Sequence, residues 1–330
     1  MRAWRVHELG EPDEVLRLEE VPSPALGPTD VLIDVAAASL NFPDVLMCRG
    51  EYQVKPPLPF TPGAEVSGTV AAVGDGVTSV RRGERVIAIP TFGDGGLTEQ
   101  TRAAEATVYP IPESLDWPAA AALHITYQTG YLALHRRAAI QPGETLLVHA
   151  GAGGVGSAAI QLGRAAGARV FATAGGPEKV QVCRDLGAEL VVDYTTTDFV
   201  DPVKEATDGR GADVIYDPVG GDTFDRSRRC VAFEGRILVI GFTSGRIADA
   251  PTNHALVKNY SVVGVHWGLY NLMDPKLIRA THEELVRLHT VGEIAPLVSA
   301  VLPLDEAASA LGRLASRATW GKVVCVTASA

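Results

Sequence analysis

The feature that most constrains this chain is a glycine-rich turn between a predicted strand and a predicted helix. The strand Leu146–Val148 has a buried composition, and GAGGVG (151–156) opens the helix. Such a turn lets a diphosphate approach the main chain, and the helix N-terminus offers amide donors. A second strand, Arg169–Ala174, follows at the spacing of a dinucleotide-binding unit. The pattern predicts a nucleotide site, with an incidental strand-to-helix turn as the alternative.

The end of the second strand bears on which dinucleotide binds. Sites that prefer NAD usually carry an acid there, which accepts hydrogen bonds from the adenosine ribose. Here AGGP (174–177) follows, with no acid before Glu178. This leaves room for a 2′-phosphate, which Lys179 could bind and beside which Tyr194 could pack. The sequence therefore predicts NADPH rather than NADH; Lys179 as an ordinary surface lysine is the alternative.

The order of elements predicts the fold class. Strand-like and helical stretches alternate over about 125–265, which is typical of α/β proteins with a doubly wound parallel sheet. Residues 1–120 read as mostly β, with Gly, Pro and Asp punctuation that suits a partly open barrel. Helical periodicity returns over Pro275–Thr290 and Leu304–Ser316, before a last strand at Lys322–Val326. The length of 330 residues favours two domains.

The composition limits the classes of partner. The net charge is −10 and the pI about 5.3, which argues against nucleic acid, because phosphate backbones need a basic face. Two uncharged windows, Trp117–Leu134 and Thr145–Gly163, are interrupted by Pro, Gly or polar residues. We therefore expect no transmembrane helix. The charged N-terminus does not resemble a signal peptide, so a cytoplasmic protein is expected.

The cysteines and histidines show no metal, redox or hydrolase motif. The four cysteines are far apart, with no CxxC pair: Cys48, Cys183, Cys230 and Cys325. A zinc ribbon or a redox dithiol is therefore disfavoured, and reduced thiols fit the expected compartment. The histidines lack metal spacing, and the absence of a Gly-x-Ser-x-Gly motif gives a hydrolase little support.

Several segments carry a family resemblance that covers essentially the whole chain. They are SLNFPDVLMCRGEY (39–52), LPFTPGAEVSGTVAAVGDGV (58–77), HITYQTGYLAL (124–134), HAGAGGVGSAAIQL (149–162) and WGKVVCV (320–326). They resemble the zinc-independent quinone oxidoreductase branch, which includes zeta-crystallin, of the medium-chain dehydrogenase/reductase superfamily.

The resemblance implies a domain organisation. A GroES-like β-rich catalytic domain would contain residues 1–124 and 266–330, and a Rossmann NADPH-binding domain would contain residues 125–265. The resemblance also implies an active cleft between the domains. It further implies a homodimer joined through the sheet edge near Ser261–Trp267.

The same resemblance implies roles for individual residues. Asn41, Tyr52 and Thr126 resemble residues beside the nicotinamide and are the candidate catalytic side chains. The cofactor-binding candidates are Asn41, Tyr52, Thr126, Gly153, Gly154, Val155, Gly156, Gly175, Lys179, Tyr194, Ile240, Gly241, Phe242, Thr243, Val265, His266 and Trp267. Many relatives carry a hydroxyl residue where this chain has Gly175-Gly176. The glycines therefore remove one possible hydrogen-bond donor to the phosphate.

This sequence departs from the zinc-dependent relatives. They have a metal-binding cysteine near the segment that here reads NFPD (41–44), and a Gly-His-Glu where this chain has Gly63-Ala64-Glu65. Ala64 cannot bind a metal, and residues 90–110 contain no cysteine. We therefore predict no metal, a structural role for Glu65, and no Lewis-acid polarisation of an alcohol.

These observations predict an NADPH-dependent, zinc-independent reductase of quinones or other electron-poor alkenes. A quinone can take its protons from solvent after hydride transfer. An enoyl substrate needs a proton donor, for which Tyr52 is the leading candidate; packing of Tyr52 on the cofactor is the alternative. An enoyl-thioester (acyl-CoA) reductase, and an NADPH-binding sensor or structural protein without activity, are the alternative functions.

Overall fold

A computed structural model describes residues 1–328 and divides the chain into two compact units. Unit 1 contains Met1–Ile125 and the segment that begins at Pro296, and unit 2 contains Thr126–Ala295. The first division lies one residue from the boundary drawn from the sequence. The second follows residue 295 rather than residue 265.

Three polar contacts explain why the segment after residue 265 stays with unit 2. The buried Gln128 side chain donates to the carbonyl of Ile278 at 2.9 Å. The side-chain oxygen of Gln161 accepts from the Ala295 amide at 2.7 Å, and the Tyr127 hydroxyl donates to the Ala295 carbonyl at 2.9 Å. These long-range bonds leave no signal in local sequence composition. The assignment of catalytic and nucleotide-binding roles to the domains stays a prediction.

The elements are numbered in chain order. The strands are β1 (Arg2–Val6), β2 (Leu16–Glu20), β3 (Asp30–Ser39), β4 (Glu65–Val73), β5 (Arg85–Ala88), β6 (Gln100–Ala104), β7 (Val108–Pro110), β8 (Thr145–Val148), β9 (Arg169–Ala174), β10 (Leu190–Asp193), β11 (Ala212–Asp217), β12 (Val231–Val239), β13 (Ser261–Gly264), β14 (Val298–Pro303) and β15 (Lys322–Val326). The α-helices are α1 (Pro12–Val15), α2 (Phe42–Arg49), α3 (Trp117–Tyr131), α4 (Gly154–Ala165), α5 (Pro177–Asp185), α6 (Val200–Glu205), α7 (Gly221–Cys230), α8 (Thr252–Lys258), α9 (Trp267–Met273), α10 (Pro275–Thr290) and α11 (Ala307–Ala315). A π-helical segment, Leu132–Arg137, extends α3.

Unit 1 is built on a mainly antiparallel sheet. Its strand order is β14-β15-β3-β4-β5-β7, with β6 also paired to β3, while β1 and β2 form a separate pair. Alternation along β3 buries Val31, Ile33 and Val35 completely, as expected for a strand with one face on a core. The tail strand β15 pairs antiparallel with β3, with Val324 opposite Ser39. The predicted β-rich GroES-like fold is confirmed.

Unit 2 contains a six-stranded parallel sheet of order β10-β9-β8-β11-β12-β13. Its central strand β8 is buried along its whole length, which is typical of a sheet covered on both faces by helices. The strand order reverses between β8 and β11, which is the point where doubly wound sheets bind nucleotides. The predicted α/β fold class is confirmed. Within residues 1–328, every helix is too short or too polar to cross a membrane.

Candidate active site

The turn after β8, residues 149–156, is called the phosphate turn below. Ala150 has a left-handed φ of 50°, and a Cβ on Gly156 would lie 2.2 Å from the Ala150 carbonyl oxygen. Only glycine fits at position 156, because the backbone of the turn passes so close to the helix. The N-cap of α4 is Gly153, which has no side chain to cap the helix. The first amides of α4 are therefore left for an external acceptor such as a diphosphate.

The predicted adenosine-phosphate subsite lies at the carboxyl ends of β9 and β10. A Cβ on Gly175 would lie 2.6 Å from the Tyr194 hydroxyl oxygen, so glycine lets the phenol approach the backbone. The Tyr194 amide donates to the Ala174 carbonyl at 3.1 Å, and its side chain is 55% exposed. Lys179 lies in the first turn of α5. The structure thus brings Gly175 and Tyr194 together, with Lys179 on the adjoining helix.

Asp193, the last residue of β10, was not identified from the sequence. One of its carboxylate oxygens accepts hydrogen bonds from the Thr195 hydroxyl at 2.7 Å, and from the Thr195 and Gly176 amides at 3.0 Å each. These bonds, the Thr195 hydroxyl first, lower the pKa of Asp193. A carboxylate beside the predicted phosphate subsite is therefore ionised at neutral pH. The only local signal was an acid immediately before Tyr194.

The segment after β12 is tied to the turn after β11. Asp217 is buried, and burial raises its pKa, while it accepts from the Val219 and Gly220 amides at 2.8 and 2.9 Å. The Ile240 amide donates to the Asp217 carbonyl at 3.0 Å. The predicted residues Ile240, Gly241, Phe242 and Thr243 are therefore held at the carboxyl edge of the sheet.

The remaining unit 2 candidates follow β13 or lie in α3. Val265 is buried and donates its amide to the Val239 carbonyl at 3.0 Å. His266 is exposed and forms the N-cap of α9, which begins at Trp267. Thr126 is buried in α3. All the predicted cofactor-binding residues of unit 2 except Thr126 thus follow the carboxyl ends of strands in the parallel sheet.

The unit 1 candidate Asn41 belongs to a buried group of polar side chains, Asn41, Asp44, Glu65 and Lys322, called the Lys322 cluster below. The Asn41 amide nitrogen donates to the Ser39 carbonyl at 3.1 Å and to Glu65 Oε1 at 3.0 Å. Its oxygen accepts from Lys322 Nζ at 2.7 Å. Both amide hydrogens are therefore engaged, and the free capacity of this side chain is as an acceptor.

Lys322 was also not identified as a site residue from the sequence. Its ammonium, 4% exposed, forms an ion pair of 3.0 Å with the fully buried Glu65 and donates to the Leu40 carbonyl at 2.9 Å. With Asn41, these contacts satisfy all three ammonium hydrogens. Glu65 Oε2 accepts from the Ile125 amide at 2.8 Å. A lysine in the otherwise apolar run KVVCV was the only local signal.

Asp44 is a further member of the Lys322 cluster, and Tyr52 completes the unit 1 candidates. Asp44 is buried and accepts from the Asn41 and Gly63 amides at 2.8 and 3.0 Å; burial raises its pKa to about 6. Tyr52 is half-buried after the end of α2. Burial, and then the charge of Asp44, raise the pKa of its phenol. Tyr52 therefore keeps its proton at neutral pH and can act as a hydrogen-bond donor.

The cysteines of this chain and Glu65 lie in surroundings that do not favour metal binding. Burial raises the pKa of all four cysteine thiols to about 12, and each thiol is unpaired: Cys48, Cys183, Cys230 and Cys325. Glu65 is bonded to the Lys322 ammonium. Among residues 1–328, the His, Cys, Asp and Glu side chains form no group of three or more that could hold a metal ion.

Comparisons with known proteins agree with this architecture. The family model for the alcohol dehydrogenase GroES-like domain matches residues 27–113, and that for zinc-binding dehydrogenases matches residues 154–283. The quinone oxidoreductase-like protein 2 homolog of Nematostella vectensis is 40% identical over 328 residues, which cover 99% of this chain and 89% of that protein.

Two solved structures extend the similarity to three dimensions. A probable oxidoreductase from Mycobacterium abscessus is 36% identical with a TM-score of 0.89, covering 99% of this chain and 98% of that one. The Escherichia coli quinone oxidoreductase, complexed with NADPH, is 30% identical with a TM-score of 0.91, covering 99% and 100%.

The fold and the nucleotide turn define an oxidoreductase of the dehydrogenase class with GroES-like and Rossmann units. The chain belongs to the medium-chain dehydrogenase/reductase superfamily, in its quinone oxidoreductase branch. The predicted family and enzyme class are confirmed. The roles of the individual site residues stay predictions.

Proposed function

We propose that this chain is an NADPH-dependent, zinc-independent reductase that transfers hydride to quinones or other electron-poor alkenes. The observation that carries the proposal is the phosphate turn, in which a Cβ at Gly156 would lie 2.2 Å from the Ala150 carbonyl oxygen. Because the backbone of the turn packs this closely against the start of α4, the first amides of α4 remain available to bind a diphosphate. The NADPH bound to the Escherichia coli relative supports the choice of cofactor.

The chain's own residues would hold the cofactor at the strand ends of unit 2. The residues Gly153, Gly154, Val155 and Gly156 would bind the diphosphate, and Lys179 with Tyr194 would bind the adenosine phosphate. The segments 240–243 and 265–267 would line the nicotinamide end, with Thr126 beside it. When bound, NADPH supplies the hydride.

The unit 1 candidates have distinct tasks in this proposal. Asn41 would act as a fixed acceptor, because its amide hydrogens are engaged by Ser39 and Glu65. Tyr52 would lie beside the nicotinamide, where its protonated phenol would be the proton donor for an enoyl substrate and is not needed for a quinone. A raised phenol pKa makes full proton transfer at neutral pH harder. A quinone can take its proton from water after hydride transfer and does not depend on this phenol.

The zinc-independent part of the proposal is supported by the Lys322 cluster. A carboxylate that accompanies a metal in zinc-dependent relatives is here paired with an ammonium at 3.0 Å. Lys322 already neutralises Glu65, so a second cation at this position would be repelled. Added zinc should therefore neither raise activity nor be retained after dialysis, which metal analysis would show. Stoichiometric retained zinc would contradict this part.

A homodimer joined through β13 is a further part of the proposal. β13 is an edge strand of the parallel sheet, and apolar side chains near it are exposed: Val262 39%, Leu269 50%, Leu272 78% and Met273 72%. Unpaired edges and apolar patches favour association. Val262→Lys should give monomers in light scattering, while Val301→Lys on the β14 edge should not. A monomeric wild type would contradict it.

The partners and location follow the same reasoning. We propose a small-molecule acceptor, no nucleic acid partner because the net charge is −10, and no membrane partner. The four unpaired buried thiols support a cytoplasmic location. Recovery of the native protein from a secreted or membrane fraction would contradict the location.

The test of function follows the absorbance of reduced nicotinamide after mixing the protein with NADPH and an acceptor. We expect rapid oxidation with 9,10-phenanthrenequinone and little with crotonyl-CoA. Turnover with crotonyl-CoA alone would favour an enoyl-thioester reductase. Tight NADPH binding with neither reaction would favour a non-enzymatic role, and Tyr52→Phe should leave quinone turnover within about threefold if water supplies the protons.

A further inference from the structure

Unit 2 contains a cavity that the proposed function does not use. Its volume is about 330 Å³, and its lining includes Phe233 and Val257 among its apolar side chains and four cationic side chains: Lys204, Arg210, Arg229 and Lys258. The volume lies at the small end of the range for sites of small organic ligands. The cavity is thus large enough for a phosphate group with a single ring, and too small for a dinucleotide.

The cavity lies at the edge of the parallel sheet opposite to the phosphate turn. Its lining includes Gly211, directly before β11, and Val231, the first residue of β12. The cofactor-binding candidates follow the carboxyl ends of the same strands. β11 has six residues, and at about 3.3 Å per residue the two edges are about 20 Å apart. A ligand in this cavity would therefore be separate from the cofactor.

The charge of the cavity is unbalanced. Lys258 is half-buried, and its ammonium donates to the carbonyls of Arg228, Arg229 and Val231 at 2.9, 3.4 and 3.3 Å. Burial, and then repulsion from Lys204, lower its pKa. Within residues 1–328, neither the Lys204 nor the Arg229 side chain has an ion pair or a hydrogen bond.

One acid compensates part of this charge. Asp213 pairs with the Arg210 guanidinium, and among residues 1–328 no carboxylate forms an ion pair with the other three cations of the lining. Like charges that converge on a half-buried space are unfavourable unless an anion joins them. The arrangement therefore points to an anionic ligand.

Two apolar side chains of the lining are largely exposed to solvent. The Phe233 side chain is 69% exposed and that of Val257 is 80% exposed. A ring placed against them would remove apolar surface from water, which contributes about 25 cal/mol per Å² buried. The cavity thus offers one face to a charge and another to a flat apolar group.

We propose that this cavity binds a small organic phosphate, a dianionic phosphoryl group attached to a ring. The phosphoryl oxygens would accept hydrogen bonds from Lys204 and the Arg229 guanidinium, Lys258 would contribute its positive charge, and the ring would lie against Phe233. A dianion neutralises several cations more completely than a singly charged carboxylate does. Guanidinium donors also match the geometry of phosphate oxygens. The site is independent of the proposed reductase activity.

The test is calorimetric titration of the NADPH-saturated protein with phenyl phosphate, with inorganic phosphate as the comparison. We expect one saturable site per chain, and phenyl phosphate binding at least about threefold more tightly because its ring buries apolar surface. The double variant K204Q/R229Q should weaken binding at least about tenfold. Both side chains lack partners, so the variant should fold.

The control variant R226Q/K276Q removes the same charge from exposed positions outside the cavity. It should change the affinity by less than about twofold. Unchanged affinity in K204Q/R229Q, or no saturable binding to the wild type, would overturn the proposal. Equal affinities for the two phosphates would overturn the role of Phe233. The comparison of variants can be repeated without NADPH, so failure of the proposed function is detected separately.

Discussion

The phosphate turn of unit 2 and the Lys322 cluster of unit 1 are two ways of building a polar site. The turn is made of backbone, and its parts lie within eight consecutive residues, 149–156. The cluster is made of side chains that are far apart in the chain, at positions 41, 44, 65 and 322. The turn depends on what is absent, a Cβ at Gly156. The cluster depends on every partner being present, because each buried polar group needs another.

The largest effect is expected where the cluster loses one charge. Lys322→Met leaves Glu65 buried without its cation, which should lower the free energy of unfolding by about 3–5 kcal/mol. The double variant Lys322→Met/Glu65→Met removes both charges and should recover much of this loss. Urea unfolding of the single and double variants measures the difference. A single variant as stable as wild type would show that the cluster is not a cooperative unit.

A substitution in the phosphate turn should instead weaken ligand binding. In Gly156→Val the added side chain would meet the Ala150 carbonyl, which a Cβ would approach at 2.2 Å. NADPH binding, measured by fluorescence titration, should weaken at least about a hundredfold, or roughly 2.7 kcal/mol. Gly312→Ala, where a Cβ would meet Asp13 at 3.3 Å, is the matched control. Retained affinity in Gly156→Val would mean that the nucleotide binds elsewhere.

The two regions should also respond to pH with opposite sign. Asp44 has a pKa raised to about 6 from 3.8, so its contribution to stability is complete below pH 3.8 and is lost as pH rises through 6. His149, at the start of the phosphate turn, has a pKa lowered by burial to about 3 from 6.5. Its contribution is complete above pH 6.5 and is lost as pH falls towards 3.

Each group should contribute a slope of up to about 1.4 kcal/mol per pH unit within its window. Urea unfolding of Asp44→Asn and His149→Gln beside wild type, over the acidic range, isolates the two terms. The difference between wild type and Asp44→Asn should shrink as pH rises. That between wild type and His149→Gln should shrink as pH falls. Slopes of the same sign would contradict the assignment.

The contrast between the two regions explains what the sequence could predict. The turn, the strand ends and the class of fold depend on local composition, and the pattern around Gly151–Gly156 was sufficient for them. Lys322 became visible only when β15 was seen to pair with β3. The division at residue 295 rests on Gln128 and Gln161 contacts across more than a hundred residues. Local patterns cannot report such pairings.

The preference for NADPH over NADH tests the role proposed for Lys179, in the first turn of α5. Lys179→Ala should weaken NADPH binding about tenfold, because the ammonium would pair with the 2′-phosphate. NADH, which lacks that phosphate, should be affected less than twofold, within the range of exposed charges. Parallel titrations with both cofactors measure the ratio, with Arg184→Ala at the other end of α5 as the control. Equal losses for the two cofactors would remove Lys179 from the subsite.

The smallest effect concerns Asp193, whose charge lies beside the same subsite. Asp193→Asn keeps an oxygen that can accept from the Gly176 amide, now at 3.0 Å, but removes the negative charge. NADPH should bind about threefold more tightly and NADH about equally, since exposed charges act weakly. Asp198→Asn, which similarly keeps an acceptor for the Val200 amide, is the control. Because salt screens such charges over about 8–10 Å, the gain should diminish at high ionic strength. A gain in affinity for both cofactors would instead show that Asp193 acts by holding the Gly176 backbone. The position would then act through the main chain, as the phosphate turn does.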